Sequence, residues 1–350
     1  MRLHVHLLAS VLLLQTAAFP GTGFTGMFDA GWSTWYQSRD SLSHLHRRLH
    51  AMGATEIVLQ YAVVEGHHRY YPSKLDFAQD EPDHSALLAN SFHAASAAGN
   101  RLWLGLYYDD TDWWTPPTAV QLDTLARRTL SVARELASLH GSDTTLRGFY
   151  IPQEIARWYW RTDSLANVVT GHFLRPVTDS LHAMGFSVMA APFFNASLET
   201  PDQLGAFFDT LFRDWHPDIL AVQDGIGVDH VDFARLGSYL RAVQGACARH
   251  GVAHWVDVEL FASGRLAPRE RVRAQVDSAW SSGATGVLGY DISVLGEDGL
   301  DSLSTWIPRS THIAPRAVPA LVSLPASPRD ANGRKPPKHR HRGIRPLFGK

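Results

Sequence analysis

Residues 249–261 read RHGVAHWVDVELF, and this stretch shows how the chain is built. Gly251 stands where a helix would end, because glycine most easily adopts the left-handed conformation of a helix C-cap. The apolar run that follows reaches Glu259. Strands that are buried on both faces, as in parallel sheets, consist of such nearly continuous apolar residues. The stretch therefore predicts a helix that leads directly into a parallel strand.

The same unit recurs along the chain. Eight short apolar runs end in polar or aromatic residues: GMFDAGW (26–32), EIVLQYA (56–62), RLWLGLYYDD (101–110), RGFYIPQE (147–154), SVMAAPFF (187–194), DILAVQDG (218–225), HWVDVELF (254–261) and GVLGYDIS (286–293). Five of them follow a glycine at a predicted helix end, in AMGATE, AAGNR, AMGFS, RHGVA and SSGATG. Eight strand–helix units predict an α/β fold, a single (β/α)8 TIM barrel over residues 19–312. An open doubly wound sheet is the rival, but it often carries a glycine-rich phosphate loop, and neither GxGxxG nor GxxxxGKS/T occurs.

The N-terminus has the layout of a secretory signal peptide. Arg2 precedes an apolar stretch from Leu7 to Leu14, and small residues lead up to Ala18. We expect residues 1–18 to be removed by cleavage near Ala18, with an uncleaved anchor as the alternative. No later segment has eighteen consecutive apolar residues, so we expect a secreted or periplasmic protein without an integral membrane segment.

The charge of the chain is divided unevenly. From Ser327 to Lys350 there are eight Lys and Arg and one Asp, which leaves 24 basic and 33 acidic residues in the rest. An acidic body argues against nucleic-acid binding. Residues 313–350 form a basic, proline-rich tail that we expect to be disordered, although contact with an anionic polymer or surface stays open. Cys247 is the single cysteine and is expected to be a small buried residue.

Polar and aromatic residues collect where the predicted strands end. In a parallel barrel all eight carboxyl ends meet at one face, where TIM-barrel active sites lie. Planar polar groups hydrogen-bond sugar hydroxyls, and aromatic rings stack on sugar C–H faces, so a carbohydrate is the expected partner. The candidate substrate-binding residues are Gln60, Tyr61, Tyr107, Asp109, Trp113, Trp114, Gln153, Phe194, Asn195, Gln223, Asp224, Asp257, Tyr290 and Asp291.

Glu154 and Glu259, after runs four and seven, are the best candidates for catalysis. Glycoside hydrolysis uses one protonated carboxyl as the acid and one ionised carboxylate as nucleophile or base. Alternation in WVDVELF places Asp257 and Glu259 on one face and Val256 and Val258 on the other. Each glutamate also has a structural alternative, since a strand-end glutamate can cap the next helix or pair with an arginine.

These residues resemble a known group of enzymes. A glutamate after strand four and another after strand seven is the arrangement of the largest clan of retaining TIM-barrel glycosidases. The runs GMFDAGW, EIVLQY, GFYIPQE, APFF, VQDGIG and DVELF resemble a bacterial family of glycosyl-hydrolase-like barrels of unknown function, over residues 24–305. The resemblance implies that Glu154 is the acid/base and Glu259 the nucleophile. Gln153 stands where the clan usually has an asparagine that contacts the sugar 2-hydroxyl.

Two other functions stay open. A non-catalytic carbohydrate-binding barrel would use the same aromatic residues. A metal-dependent hydrolase would need histidines at strand ends, but His67 and His68 follow strand two without a partner histidine at a strand end. We therefore expect neither a metal nor a cofactor.

Overall fold

The computed structural model describes residues 22–32, 34, 37–64, 68–78, 84–109 and 116–307. The predicted signal peptide (1–18), the predicted tail (313–350), Trp113 and Trp114 lie outside the described residues. Their predictions therefore stay predictions.

Eight parallel strands close into one barrel and follow one another around it in chain order. They are β1 (Gly26–Asp29), β2 (Glu56–Leu59), β3 (Arg101–Gly105), β4 (Leu146–Ile151), β5 (Ser187–Ala190), β6 (Ile219–Gln223), β7 (Ala253–Glu259) and β8 (Gly286–Tyr290). The barrel closes where β1 pairs with β8, with Gly26 opposite Leu288. Each of the eight apolar runs overlaps one of these strands, so the predicted single (β/α)8 TIM barrel is confirmed.

Each strand is followed by helix. The helices are α1 (Arg39–Ala51), α2 (Leu87–Ala98), α3 (Ala119–His140), α4 (Asp163–Val169), α5 (Arg175–Ala183), α6 (Pro201–Leu211), α7 (Phe233–His250), α8 (Arg269–Ser281) and α9 (Gly296–Trp306). A π-helical turn, Thr170–Leu174, joins α4 to α5, and a 3-10 helix, Ile292–Val294, precedes α9. Within the part of the chain that the structure describes, no helix is both long enough and apolar enough to cross a membrane.

The five predicted glycine stops all adopt a left-handed backbone. Gly53, Gly99, Gly185, Gly251 and Gly283 have φ between 71° and 88°. A side chain at this φ is strained, so glycine ends each helix and turns the chain into the next strand. This part of the sequence interpretation is confirmed.

Alternate strand residues fill two separate cores. The outer core packs the strands against the helices and includes Val256, Val258 and the fully buried Cys247. The inner core lies inside the barrel and draws on every strand: Phe28, Val58, Trp103, Tyr150, Met189, Ala191, Ile219, Ala221, Trp255 and Leu288. The interior is therefore packed, as in other TIM barrels, and a ligand has to bind above it.

Glu56 closes the amino-terminal end of the barrel. Trp103 Nε1 donates to its Oε2 over 2.9 Å, and Arg101 forms an ion pair with its Oε1. Burial raises the pKa of Glu56, whereas Arg101 lowers it. Because both oxygens are engaged, this glutamate has a structural role at the floor.

Short strands extend the opposite, carboxyl end. Val63–Val64 pairs with His68–Arg69 and with Tyr107–Tyr108, and Phe261–Ala262 forms a hairpin with Arg265–Leu266. They raise the walls beside β2, β3 and β7, so that the carboxyl face is recessed.

Candidate active site

The last residues of β7 face the barrel interior in alternation. Trp255 belongs to the inner core, whereas Val256 and Val258 belong to the outer core. Asp257 and Glu259 share the parity of Trp255 and therefore project into the space above the inner core, as predicted. This space, bordered by Glu154, Gln223, Asp257, Glu259 and Tyr290, is called the barrel mouth below.

Glu154 reaches the mouth from the loop after β4. Gln223 Nε2, at the end of β6, donates to Glu154 Oε1 over 3.1 Å and to the carbonyl oxygen of Ala191 over 3.2 Å. Burial raises the pKa of Glu154, and the Gln223 hydrogen bond partly opposes this. The next helix is capped by Thr162, so Glu154 is not its cap. A raised pKa favours the protonated form of the carboxyl, which is the form that a general acid requires.

Glu259 is the last residue of β7 and is held by the loop after β6. Its Oε2 accepts hydrogen bonds from the backbone N–H groups of Gly227 and of Val228, the latter over 3.1 Å. Burial and the nearby Asp224 raise the pKa of Glu259, while the two amides and Arg271 lower it. The two amides therefore fix the direction of the carboxyl.

Asp257 stands opposite Gln223 in the sheet, two residues before Glu259. It is 1% exposed, and its Oδ1 has no hydrogen-bond partner among the described residues. Burial raises the pKa of Asp257 well above its ordinary value, and Asp224, Glu259, Asp291 and Glu154 raise it further. Because Gln223 donates to Glu154 and stands opposite Asp257 in the sheet, the two candidate catalytic residues lie at the same end of the barrel.

Three tyrosines line the mouth beside Glu154. Tyr290 Oη donates to Gln60 Oε1 over 3.1 Å. Burial raises the pKa of Tyr61, Tyr150 and Tyr290, and Glu154 contributes to the rise in each case. Tyr61, Tyr290 and Gln60 are thus brought together as predicted, whereas Tyr150 was not predicted. It occupies the inward position of β4, which its alternation with Phe149 and Ile151 could have indicated.

Aromatic rings form walls on two sides. Near β2 and β3, the ring of Tyr61 lies 5.0 Å from Tyr108 and 6.5 Å from Trp32, which is 45% exposed. Near β4 and β5, Trp158 meets Phe193 edge to face at 4.7 Å. Such walls offer flat apolar surfaces beside the carboxyls.

Three residues predicted to bind substrate face the helices instead. Tyr107 Oη accepts from Arg128 of α3 over 2.7 Å, Phe194 stacks on Tyr239 of α7 at 4.8 Å, and Asp224 Oδ2 accepts from Gln275 of α8 over 2.6 Å. All three are fully buried. They do not line the mouth, which corrects their prediction as substrate contacts. Strand alternation accounts for two of them, since Phe193 and Gln223 are the inward neighbours of Phe194 and Asp224, whereas Tyr107 lies beyond the irregular end of β3.

Other predicted residues lie at the rim with partners of their own. Asp109 lies 3.9 Å from Arg128. Asn195 Oδ1 accepts from the backbone N–H of Ser197 over 2.9 Å and so shapes a turn. Gln153 Nε2 donates to the carbonyl oxygen of Tyr107 over 2.8 Å, while its Oε1 is buried without a partner among the described residues. Gln153 therefore ties the ends of β3 and β4 together.

Asp29 is a buried acid that the sequence interpretation missed. It accepts from Gly31 N–H over 2.8 Å and from Thr34 Oγ1 over 2.9 Å. Burial and Asp291 raise the pKa of Asp29 to about 6. Asp291 begins the 3-10 helix and accepts from Ser293 N–H over 2.6 Å. Asp29 ends β1 and could have been found as the one acid in that run.

Acidic groups are crowded here without forming a metal site. Within the described ranges, no group of three or more His, Cys, Asp or Glu side chains is arranged to hold a metal ion. The mouth offers instead an acid, a carboxylate, hydrogen-bonding amides and phenols, and aromatic walls. This set can bind and protonate a polyhydroxylated ligand.

Comparison with known proteins identifies a family and a fold. The family model described as "Domain of unknown function (DUF4434)" matches residues 35–297. Among curated proteins, none matches the chain. A crystal structure described as a "putative alpha-L-fucosidase" from Bacteroides thetaiotaomicron superposes with a TM-score of 0.64 at 15% identity, covering 87% of this chain and 99% of that one. An endo-beta-1,4-mannanase from Thermotoga petrophila superposes with a TM-score of 0.50 at 11% identity, covering 77% of this chain and 67% of that one. At these identities the likeness concerns the fold alone, which is that of a TIM barrel.

Proposed function

The chain belongs to the DUF4434 family, and on that premise we propose that it is a glycoside hydrolase that cleaves an oligo- or polysaccharide. The observation that carries this proposal is that Gln223 donates to Glu154 and stands opposite Asp257 in the sheet, two residues before Glu259, so that both glutamates lie at the carboxyl end of the barrel. Fold likeness to glycoside hydrolases supports the reaction class, although fold alone does not establish function.

Glu154 acts as the general acid in this proposal. Burial favours the protonated form of the carboxyl, which donates its proton to the glycosidic oxygen as the C–O bond breaks. The hydrogen bond from Gln223 fixes Oε1 and leaves the carboxyl oriented while it changes its charge. After proton transfer, the same group is the base that activates the water of the second step.

Glu259 acts as the nucleophile. The two backbone amides that hold Oε2 stabilise its ionised form and set its direction. Attack on the anomeric carbon forms a glycosyl–enzyme ester, and water then releases the sugar with retained configuration. Tyr290, Gln60 and the aromatic walls would bind the sugar hydroxyls and C–H faces.

The experiment is a glycan-panel screen with three matched variants. Glu154→Gln and Glu259→Gln keep the shape and remove the carboxyl, and each should lower turnover of a responsive glycan by at least about 10³-fold while the protein stays folded. Glu270→Gln, an exposed glutamate in the first turn of α8, is the control and should retain activity. Full activity in both mouth variants would refute the assignment.

A non-catalytic sugar-binding barrel is the second candidate. It is favoured by the raised pKa of Glu259, because a protonated carboxyl is not a nucleophile. Binding of a glycan without any product over long incubation would support this candidate. The apolar stretch before Ala18 further supports export, and the proposed location is secreted or periplasmic.

A further inference from the structure

The strand that carries Glu259 extends beyond its neighbour in the barrel. β6 ends at Gln223, which stands opposite Asp257, so β7 continues for two more residues to Glu259. In a parallel barrel the backbone N–H and C=O groups of each strand bond to the strands on both sides, and a buried group without a partner is unfavourable. The backbone of Glu259 therefore needs other partners on the β6 side.

Side chains supply those partners. Asp224 Oδ1 accepts the backbone N–H of Glu259 over 3.3 Å. The carbonyl oxygen of Glu259 accepts from Arg271 Nη2 over 2.8 Å and from Gln275 Nε2 over 3.1 Å. Arg271 and Gln275 lie one turn apart on α8, and Arg271 Nε donates to Gln275 Oε1 over 3.1 Å. Both polar groups of the Glu259 backbone are thus held, one by the residue after β6 and the other by α8.

The same carboxyl of Asp224 also organises the loop after β6. Its Oδ1 accepts a second hydrogen bond, from the backbone N–H of Ile226, over 3.2 Å. The next two residues of this loop, Gly227 and Val228, donate their N–H groups to Glu259 Oε2. One oxygen atom therefore fixes the backbone of Glu259 relative to the two amides that bind its side chain.

Asp224 makes these contacts from behind the mouth. It is fully buried and faces α8, where Gln275 Nε2 donates to its Oδ2 over 2.6 Å. Three N–H donors thus point at one side chain, and a carboxylate can accept them with both oxygens, whereas an amide has only one acceptor oxygen. A buried carboxyl is costly unless it is hydrogen-bonded in this way. The convergence of donors accounts for an acid at this buried position.

We propose that Asp224 is a positioning residue for Glu259, which keeps the proposed nucleophile and the two amides that bind it in a fixed relative position. This inference rests on the proposed function, because it concerns the carboxyl assigned there as the nucleophile. Asp224 acts through Glu259 and the loop after β6 and does not touch the saccharide. Gln275, which bonds both Asp224 Oδ2 and the carbonyl oxygen of Glu259, ties the pair to α8.

The charge of Asp224 also affects that of Glu259. Burial and Asp224 raise the pKa of Glu259, whereas the two loop amides lower it. A substitution that keeps an acceptor at position 224 but removes the negative charge should therefore lower the pKa of Glu259. A residue with a purely structural role would leave this pKa in place.

Hydrogen exchange of single amides tests the positioning role without a substrate. In Asp224→Ala the N–H groups of Ile226 and Glu259 lose their acceptor, so faster exchange there is expected even of a purely local role. The informative amides are those of Gly227 and Val228, which donate to Glu259 instead. Their exchange should become at least about tenfold faster, because the carboxyl and the loop no longer keep their relative position. Unchanged exchange at these two amides would overturn the inference.

Asp224→Asn separates the acceptor from the charge. Its Oδ1 can still accept from the two backbone N–H groups, so exchange of the Gly227 and Val228 amides should stay within about threefold of that in the unmodified protein. Loss of the negative charge should move the midpoint of the Glu259 carboxyl carbon in a 13C titration to lower pH. A midpoint that stays in place, or amides that exchange as fast as in Asp224→Ala, would contradict the assignment.

Asp29→Ala is the matched control. Asp29 is also a buried acid at a strand end, but it accepts from Gly31 and Thr34 in the loop after β1. Its loss should leave the exchange of Gly227 and Val228 unchanged. Exchange as fast in Asp29→Ala as in Asp224→Ala would mean that loss of any buried acid loosens the barrel end, and would overturn the inference.

Gln275→Met keeps the proposal testable if Asp224→Ala does not fold. It preserves the length of the side chain and removes the donor that Asp224 and the Glu259 carbonyl oxygen share. The Gly227 and Val228 amides should then exchange at least about threefold faster than in the unmodified protein. No change in Gln275→Met would count against the proposal.

Failure of the two proposals can be told apart. On a glycan of the panel that the unmodified protein cleaves, Asp224→Ala should lower kcat at least about tenfold with little change in KM, since the nucleophile is misplaced while the binding groups stay. Loosened amides in a protein that cleaves no glycan would uphold the positioning role and count against hydrolysis. Turnover that depends on Glu259 but is unchanged in Asp224→Ala would uphold hydrolysis and overturn the positioning role.

Discussion

Gln223 Nε2 donates to Glu154 Oε1 over 3.1 Å, so the last residue of β6 holds the carboxyl delivered by the loop after β4. This bond favours the ionised form of Glu154 and opposes the effect of burial. The balance between the two sets the pH at which the proposed acid loses its proton.

Gln223→Leu should raise the pKa of Glu154, because the donor is lost while burial remains. The alkaline limb of the kcat/KM profile should move to higher pH, and the midpoint of the Glu154 carboxyl carbon in a 13C titration should move in the same direction. Gln244→Leu is the control, since Gln244 packs near Gly283 at the other end of the barrel. An unchanged Glu154 titration would contradict the role of Gln223.

Gly227→Ala should displace the proposed nucleophile. A Cβ at this position would lie 2.8 Å from Glu259 Oε2 and 2.9 Å from Glu259 Cβ, which is closer than van der Waals contact allows. We expect the thermal midpoint to fall by a few degrees, for a cost of about 1–3 kcal/mol, and turnover to fall at least about tenfold.

Gly171→Ala is the matched control for that substitution. An added Cβ there meets no atom within 4 Å, and alanine is the better helix former. Equal stability and activity in Gly227→Ala and Gly171→Ala would contradict the prediction. It would mean that the loop after β6 accommodates the added Cβ without displacing Glu259.

The barrel itself was predictable because its signals are local. Each strand is an apolar run, and Gly53 or Gly251 marks a helix end by its backbone conformation rather than by distant contacts. The direction of the β7 carboxyls was also predictable, since alternation within one strand fixes Asp257 and Glu259 on one face.

The site was less predictable where a strand ends irregularly. β3 stops at Gly105, where a Cβ would lie 1.8 Å from the carbonyl oxygen of Gln60. Only glycine fits this close approach, and the chain beyond it pairs with another small sheet. Tyr107 consequently turns toward Arg128 and away from the mouth. The close approach of Gly105 to Gln60 joins residues that are 45 positions apart in the chain. The local sequence pattern therefore does not indicate it.

Trp32→Ala should weaken saccharide binding without loss of stability. The side chain is 45% exposed and stands 6.5 Å from Tyr61, so its removal takes away a stacking surface but little core. An aromatic contact of this kind corresponds to about 0.5–1.5 kcal/mol, or a rise in Kd of about 2- to 12-fold. Leu139→Ala, 52% exposed near the end of α3, should change neither the Kd nor the thermal midpoint. A drop in stability with Trp32→Ala would instead identify Trp32 as a packing residue.

Asp257→Asn should stabilise the empty protein at neutral and alkaline pH. The pKa of Asp257 is raised in the folded state, so between about pH 4 and that raised value the folded chain holds a proton that the unfolded chain releases. Folding stability is therefore highest at low pH and is lost as the pH rises, by about 1.4 kcal/mol for each unit of pKa difference within that window. Because asparagine does not titrate, the Asp257→Asn variant should not lose this stability as the pH rises.

Thermal denaturation across pH measures the effect directly. The midpoint of Asp257→Asn minus that of the unmodified protein should be near zero at about pH 4 and should grow to several degrees at about pH 8. Asp232→Asn, which keeps its cap of α7, should leave the pH dependence unchanged. A constant difference across pH would mean that a solvated or paired carboxyl stands at position 257.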